Sequence, residues 1–277
     1  MYERWFIKRK VNKQPGIWLF ILMVLTFCHG PLHSFSQGEW NQWRFGNKAG
    51  LDFNFTPPAA VLNSAMQNLY ESVSQADSLG NLLFYSDGQT VWNKNNVVMQ
   101  NGTGLYGFSQ GNSVFLIPDP GYSTQYYLFT VGPWQWYPPR RGLYYSKIDM
   151  TLSGGLGGVV AGMKNIPVPG SENVPDGIYG TRHRNNKDAW LVARSQTPQV
   201  FLSYLITSAG FNLTPVISPS QVNCIDPPTS WPSVAIRISQ DGSKRIATYA
   251  WSDSTMNICH FNNSNGEIEE LFKIPVI

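Results

Sequence analysis

The sequence predicts an all-β chain, a β-propeller built from four-stranded blades, and three observations carry that prediction. Residues 77–93, DSLGNLLFYSDGQTVWN, read as turn, strand, tight turn, strand. Asp87-Gly88 sits between two β-rich runs, and both residues tolerate the positive φ that a twisted two-stranded ribbon demands. The same turn-then-strand phrase returns three times, with strands starting at residues 82, 126, 189 and 246 and therefore 44, 63 and 57 residues apart. Each interval suits one blade plus its loops. Composition agrees: aromatic residues make up 14% of the chain and charged residues only 13%, about half the usual share.

Taken in order, the chain opens on a leader at residues 1–36. Arg4, Lys8, Arg9, Lys10 and Lys13 form a basic region, residues 17–27 are unbroken apolar, and Ser34-Phe35-Ser36 offers small residues for cleavage. This is the pattern of a secretory signal peptide, with a run too short to span a bilayer comfortably. An uncleaved N-terminal anchor is the alternative. A lipoprotein reading through Cys28 is weaker, because bulky Phe27 precedes that cysteine. The leader holds five of the 20 basic residues and one of the 17 acidic ones, leaving 15 against 16 in residues 37–277. No electrostatic footprint for nucleic acid or anionic lipid survives that removal.

Residues 37–277 are expected to form one partial propeller, WD40/YVTN-like, with four to five blades countable from Trp43 onward. Strand pairs are predicted at 82–85 with 90–93, 126–131 with 142–149, 189–193 with 200–206, and 246–251 with 256–261. All are short, β-branched and aromatic, and bounded by Gly, Pro, Asn or Asp. Residues 60–72 lack a convincing apolar stripe and read as loop plus the first inner strand. Glycine- and proline-rich connections at 153–158, 167–170 and 226–232 separate the phrases. Residues 266–277 finish one blade and reach towards another, so the chain is expected to be a fragment of a longer ring.

Several of these stretches resemble one family closely. They are residues 43–54, residues 80–88 with Val91, Trp92 and Asn93, residues 101–105, residues 126–131 and residues 142–157. The family is the N-terminal propeller of large secreted surface proteins of Bacteroidota. The resemblance covers about residues 40–275 and thins in the second half to the blade phrase at 239–243. Its members commonly continue into PKD-type domains and often end in a gliding-motility-associated or type IX secretion sorting domain. The resemblance implies export, surface display, and adhesion or scaffolding. It carries over no catalytic residues. The sequence departs from the family in having no PKD or sorting domain, which leaves the periplasm as the destination if none is present, and in an extra aromatic loop.

That loop, residues 133–141, is the leading ligand site on sequence. Trp134, Trp136 and Tyr137 offer flat faces to sugar rings, and Arg140 and Arg141 offer donors to hydroxyls or a carboxylate. The competing reading folds these aromatics back onto their blade. Cys224 and Cys259 remain after the leader, and export permits a disulfide between them, although spacing cannot establish one. With no CxxC and no Cys/His cluster, neither a metal nor a cofactor is expected. Ser86-Asp87-Gly88 and residues 239–242 look superficially like sialidase Asp boxes and read as turn-forming aspartates. Glu71, Asp77, Asp149, Asp176 and Asp241 are available carboxylates, none in a catalytic signature, and His183 reads as a stacked or hydrogen-bonded structural histidine on an inner strand. The function expected is therefore a non-enzymatic exported binding, scaffold or adhesion module whose partner is a glycan or surface protein. The alternative is a carbohydrate-active propeller enzyme of glycoside hydrolase type. Two or three carboxylates meeting at the mouth of the central channel, with room for a sugar, would favour the second.

Overall fold

Short β-rich runs punctuated by turn residues become antiparallel strands joined by tight connections. The computed structural model describes residues 38–68, 70–107, 113–132, 142–220, 234–239, 245–250 and 255–275. Among these the fold is all-β, and the helical pieces are two single 3-10 turns, Gly38–Trp40 and Ser153–Gly155. The leader, the loop at 133–141, and the phrases around Cys224 and Asp241 lie outside the described residues.

The first sheet contains β1 (Gln42–Phe45), β2 (Ala49–Asp52) and β3 (Ala59–Val61) in sequence order. Of the segment read as loop plus inner strand, only its start belongs to β3. The remainder has no regular strand, and Gln67 makes an isolated bridge to Asn47. A meander follows: β4 (Val73–Ala76), β5 (Leu82–Ser86), β6 (Thr90–Asn93) and β7 (Val98–Thr103). The turn between β5 and β6 is the one the sequence announces. The Asp87 carboxylate accepts the Gln89 and Thr90 amides, Ser86 Oγ accepts the Gly88 amide, and Gly88 adopts φ 84°.

Next come β8 (Val114–Pro118), β9 (Gln125–Gly132), β10 (Gly142–Asp149), β11 (Gly158–Val159) and β12 (Ile166–Pro167). A parallel pairing of Gly158 with Gln100 joins β11 to β7, giving a nine-stranded sheet of order β4-β5-β6-β7-β11-β10-β9-β8, with β12 also on β10. Its two ends return to each other: Val114, opening β8, donates its amide to Glu71, just ahead of β4. The eight-strand path is thereby barrel-like and nearly closed. A third sheet holds β13 (Tyr179–Arg182), β14 (Ala189–Gln196), β15 (Gln199–Thr207), β16 (Gly210–Phe211) and β17 (Val216–Pro219). The fourth holds β18 (Val234–Ile238), β19 (Arg245–Ala250), β20 (Thr255–Phe261) and β21 (Ile268–Pro275) in sequence order.

The core lies between sheet faces. β14 reads AWLVARSQ and is buried on both sides, so alternation of polarity along it is lost. Its Leu191 and Ala193, with Leu202, Tyr204 and Ile206 of β15, pack on Tyr127, Phe129 and Val131 of β9. Its Trp190 and Val192, with Phe201, pack on Ile236, Ile246, Cys259 and Phe261 of the fourth sheet. Tyr126, Leu128 and Ile148 pack on Phe84, Val91 and Met99. The third sheet thus shares one face with the nine-stranded sheet and the other with the fourth, and the nine-stranded sheet packs its two halves on each other. At the two ends of this stack apolar side chains stay open: Trp43 and Phe45 on the first sheet, Phe272 and Ile274 on β21.

Candidate functional site

The loop predicted to hold a ligand is anchored by a continuous hairpin. Gly132 and Gly142 are the last register pair of β9 and β10, so residues 133–141 leave and re-enter the sheet at adjacent positions. Gly142 has φ 89°, and a Cβ there would lie 2.6 Å from the Ser171 carbonyl oxygen, so only glycine fits this hinge. Trp134, Trp136, Tyr137, Arg140 and Arg141 themselves lie outside the described residues.

So does Cys224. Cys259 is fully buried on β20, opposite Ile246 and Glu270. Burial, reinforced by the Glu270 carboxylate, pushes its thiol up to about 12, which leaves it without nucleophilic thiolate near neutral pH. His183 follows β13 rather than lying on it. Its ring stacks on Trp190 at 5.7 Å and 28°, its Nδ1 accepts the Asn185 amide, and its Nε2 reaches the Ser264 carbonyl at 3.2 Å. A ring whose Nδ1 accepts carries its proton on Nε2, so the Ser264 contact is a donated hydrogen bond. The stacked structural histidine is what the structure gives, at a turn instead of on an inner strand.

The arrangement that gathers chemistry from several sheets centres on Glu71. Local polar contacts fix it: Asn68 Oδ1 accepts the Tyr70 amide, Asn68 Nδ2 donates to the Glu71 carbonyl, and Ser72 Oγ donates to the Arg44 carbonyl of β1. The Glu71 side chain is 23% exposed, and its carboxylate lies 4.0 Å from Arg237 of β18. Arg237 also donates from Nη1 to the Ile236 carbonyl and sits 5.5 Å above the Tyr179 ring of β13. Tyr179 in turn meets Phe115 of β8 at 5.1 Å. Four elements remote in sequence therefore meet at one place. Burial raises the Glu71 carboxyl to about 7, against the opposing pull of the Val114 amide, Arg237 and the Ser113 amide. A carboxyl poised there both accepts and donates hydrogen bonds near neutrality, beside a cation resting on an aromatic face.

Glu71 stood among the available carboxylates in the sequence, unmarked by any signature. Arg237, Tyr179 and Phe115 were missed. The signal for Arg237 was an arginine interrupting the β-rich run VAIRI, which needs a reason to sit there. A second buried charge was missed likewise: Arg194 on β14, 1% exposed, donates from Nε to Ser220 Oγ, which donates to Glu270. Among the described residues no group of three or more His, Cys, Asp and Glu side chains is placed to hold a metal ion, and no helix is long and apolar enough to cross a membrane. No family model matches the chain, and no curated protein matches it at a significant level.

Proposed function

We propose that this chain is a non-enzymatic binding module displayed beyond the inner membrane, its meanders serving as blades of a β-propeller. Support for the blades comes from the leading strands of successive sheets. β1 packs beside β4, β4 beside β8, β8 beside β13, and β13 beside β18. In this reading the nine-stranded sheet is two blades, β4–β7 and β8–β12, tied by the single Gly158–Gln100 pairing. Export and surface display rest on the leader and on the resemblance to Bacteroidota surface propellers, as do adhesion and any link to gliding motility or type IX secretion. Trp134, Trp136, Tyr137, Arg140 and Arg141 are the proposed contacts to a glycan or protein, on side-chain chemistry alone.

One observation carries the choice of binding over hydrolysis: the charged partner found for the poised carboxyl among the described residues is a guanidinium, Arg237. Glycosidase chemistry needs two carboxyl groups about 5–9.5 Å apart across the scissile bond. The second reading, a glycoside hydrolase, draws its support from the raised Glu71 carboxyl, which suits a general acid. A glycan array run beside a hydrolysis assay on the same glycans separates them. Binding without turnover is expected. Turnover that disappears in Glu71→Gln would establish the hydrolase instead.

A further inference from the structure

We infer that Arg237, Glu71 and Tyr179 form a binding site for a small acidic sugar, with Arg237 taking the ligand carboxylate. The inference rests on the reading above, that the chain is a binding module, and specifies the chemistry of one site on it. Arg237 is 56% exposed at the side chain, so its guanidinium is within reach of a solute, and its planar fork matches a carboxylate. Tyr179 and Phe115, both half-buried, give the sugar ring an apolar rim. Glu71 is the internal competitor. While ionised it occupies the position beside Arg237 that a ligand carboxylate would take, and it repels that ligand. Once protonated it offers a hydrogen bond to the same oxygen.

Several described elements are packed around this pair. The β8 side presents Ser113, Val114 and Phe115, none of them charged, and β13 presents the Tyr179 phenol. From β1, Arg44 directs its guanidinium to the Trp43 carbonyl and feels Asp52. A sugar carboxylate stays ionised from about pH 5.5 to about pH 8, whereas a carboxyl titrating near 7 passes from almost fully protonated to about one-tenth protonated. Affinity for an acidic sugar should therefore fall about tenfold across that range.

Isothermal titration of the full chain with glucuronate, glucose and acetate at both pH values tests this. Glucuronate should bind, with the tenfold preference for acid, and glucose and acetate should bind far more weakly. Glu71→Gln should keep the acid-level affinity at the higher pH, and Arg237→Gln should lose glucuronate binding while its circular dichroism stays unchanged. Wild-type affinity that ignores pH, or a folded Arg237→Gln variant that still binds, would overturn the proposal. Acetate binding as well as glucuronate would also overturn it, because the site would then be a bare anion contact with no sugar specificity. Failure with glucuronate alongside array binding to neutral glycans sinks this inference alone, whereas failure on both sinks the binding-module reading too.

Discussion

The two faces of the β13–β17 sheet make an instructive pair, because one looks onto a tight ion pair and the other onto several buried groups without partners. On the side facing β8–β12, Lys147 meets Asp119 at 2.7 Å, with the Tyr127 and Tyr122 rings 4.9 and 5.2 Å from its ammonium. Burial alone would lower the Lys147 pKa, but the Asp119 contact, backed by Tyr127, outweighs it and the value is raised. On the side facing β18–β21, Thr248 and Asn257 stand directly opposite each other, fully buried, and neither the Thr248 hydroxyl nor either Asn257 amide atom has a hydrogen-bond partner. The Ser203 hydroxyl is in the same condition. The ion pair acts as a lock, and the orphaned groups are carried as a cost.

Breaking the lock should have the largest effect. Lys147→Met leaves the Asp119 carboxylate, 2% exposed, without its cation and should lose about 3–5 kcal/mol in urea unfolding. Adding Asp119→Leu should recover most of that loss. If the single variant unfolds like wild type, the pair is no lock. Next in size is the effect of pH. The Glu71 carboxyl is raised from an ordinary 4.5 to about 7, so the folded chain holds a proton that the unfolded chain has released. Stability from this group is present below about pH 4.5 and is lost as pH rises through 7. Glu71→Gln should then gain about 2 kcal/mol at pH 8 and little at pH 4.5. A gain of equal size at both would assign it to packing instead.

Sharpening the other face comes third. Thr248→Val with Asn257→Leu removes the orphaned groups and should gain about 1–3 kcal/mol by the same unfolding measurement. A clear loss would mean that bound water satisfies them. Smallest is Tyr204→Phe. The hydroxyl of this buried tyrosine lacks a partner, and burial followed by the Glu172 carboxylate drives its pKa far above the usual phenol range. Removing it should shift the midpoint by less than about 1 kcal/mol, in the stabilising direction. A larger loss would reveal a hydrogen bond.

The strands were legible because their signals are local. Residues 142–149 were read as a strand and are β10, and residues 200–206 sit inside β15. β10 runs from Gly142 to Asp149, β15 starts after Thr197-Pro198 and ends ahead of Gly210, and each is filled by side chains that fit a pleated surface. Residues 60–72 were harder, since Ser64 and Asn68 spend their side chains on nearby backbone amides and so mimic an element that is not there. The join between β7 and β11 was illegible, because a single Gly158–Gln100 contact leaves no pattern along either strand. The Glu71 cluster was half legible. Its carboxylate can be listed from composition, but Arg237 reaches it only through the packing of three successive sheets, which leaves no mark on the residues next to either side chain.

Strand β21 carries a last consequence. It pairs with β20 and with no other described strand, so beyond the Ile268 amide, which donates to Ser218 Oγ, a row of main-chain donors and acceptors lacks a strand partner among the described residues. Such a row invites extension by foreign strands, and Leu271, Phe272 and Ile274 would make the addition more favourable. Against that, Glu269, Glu270 and Lys273 break the run with charge, and Pro275 supplies no amide hydrogen at its end. The strand thus holds both an adhesive and its antidote, and neutralising those three charges would turn a quiet margin into a nucleus for fibre growth.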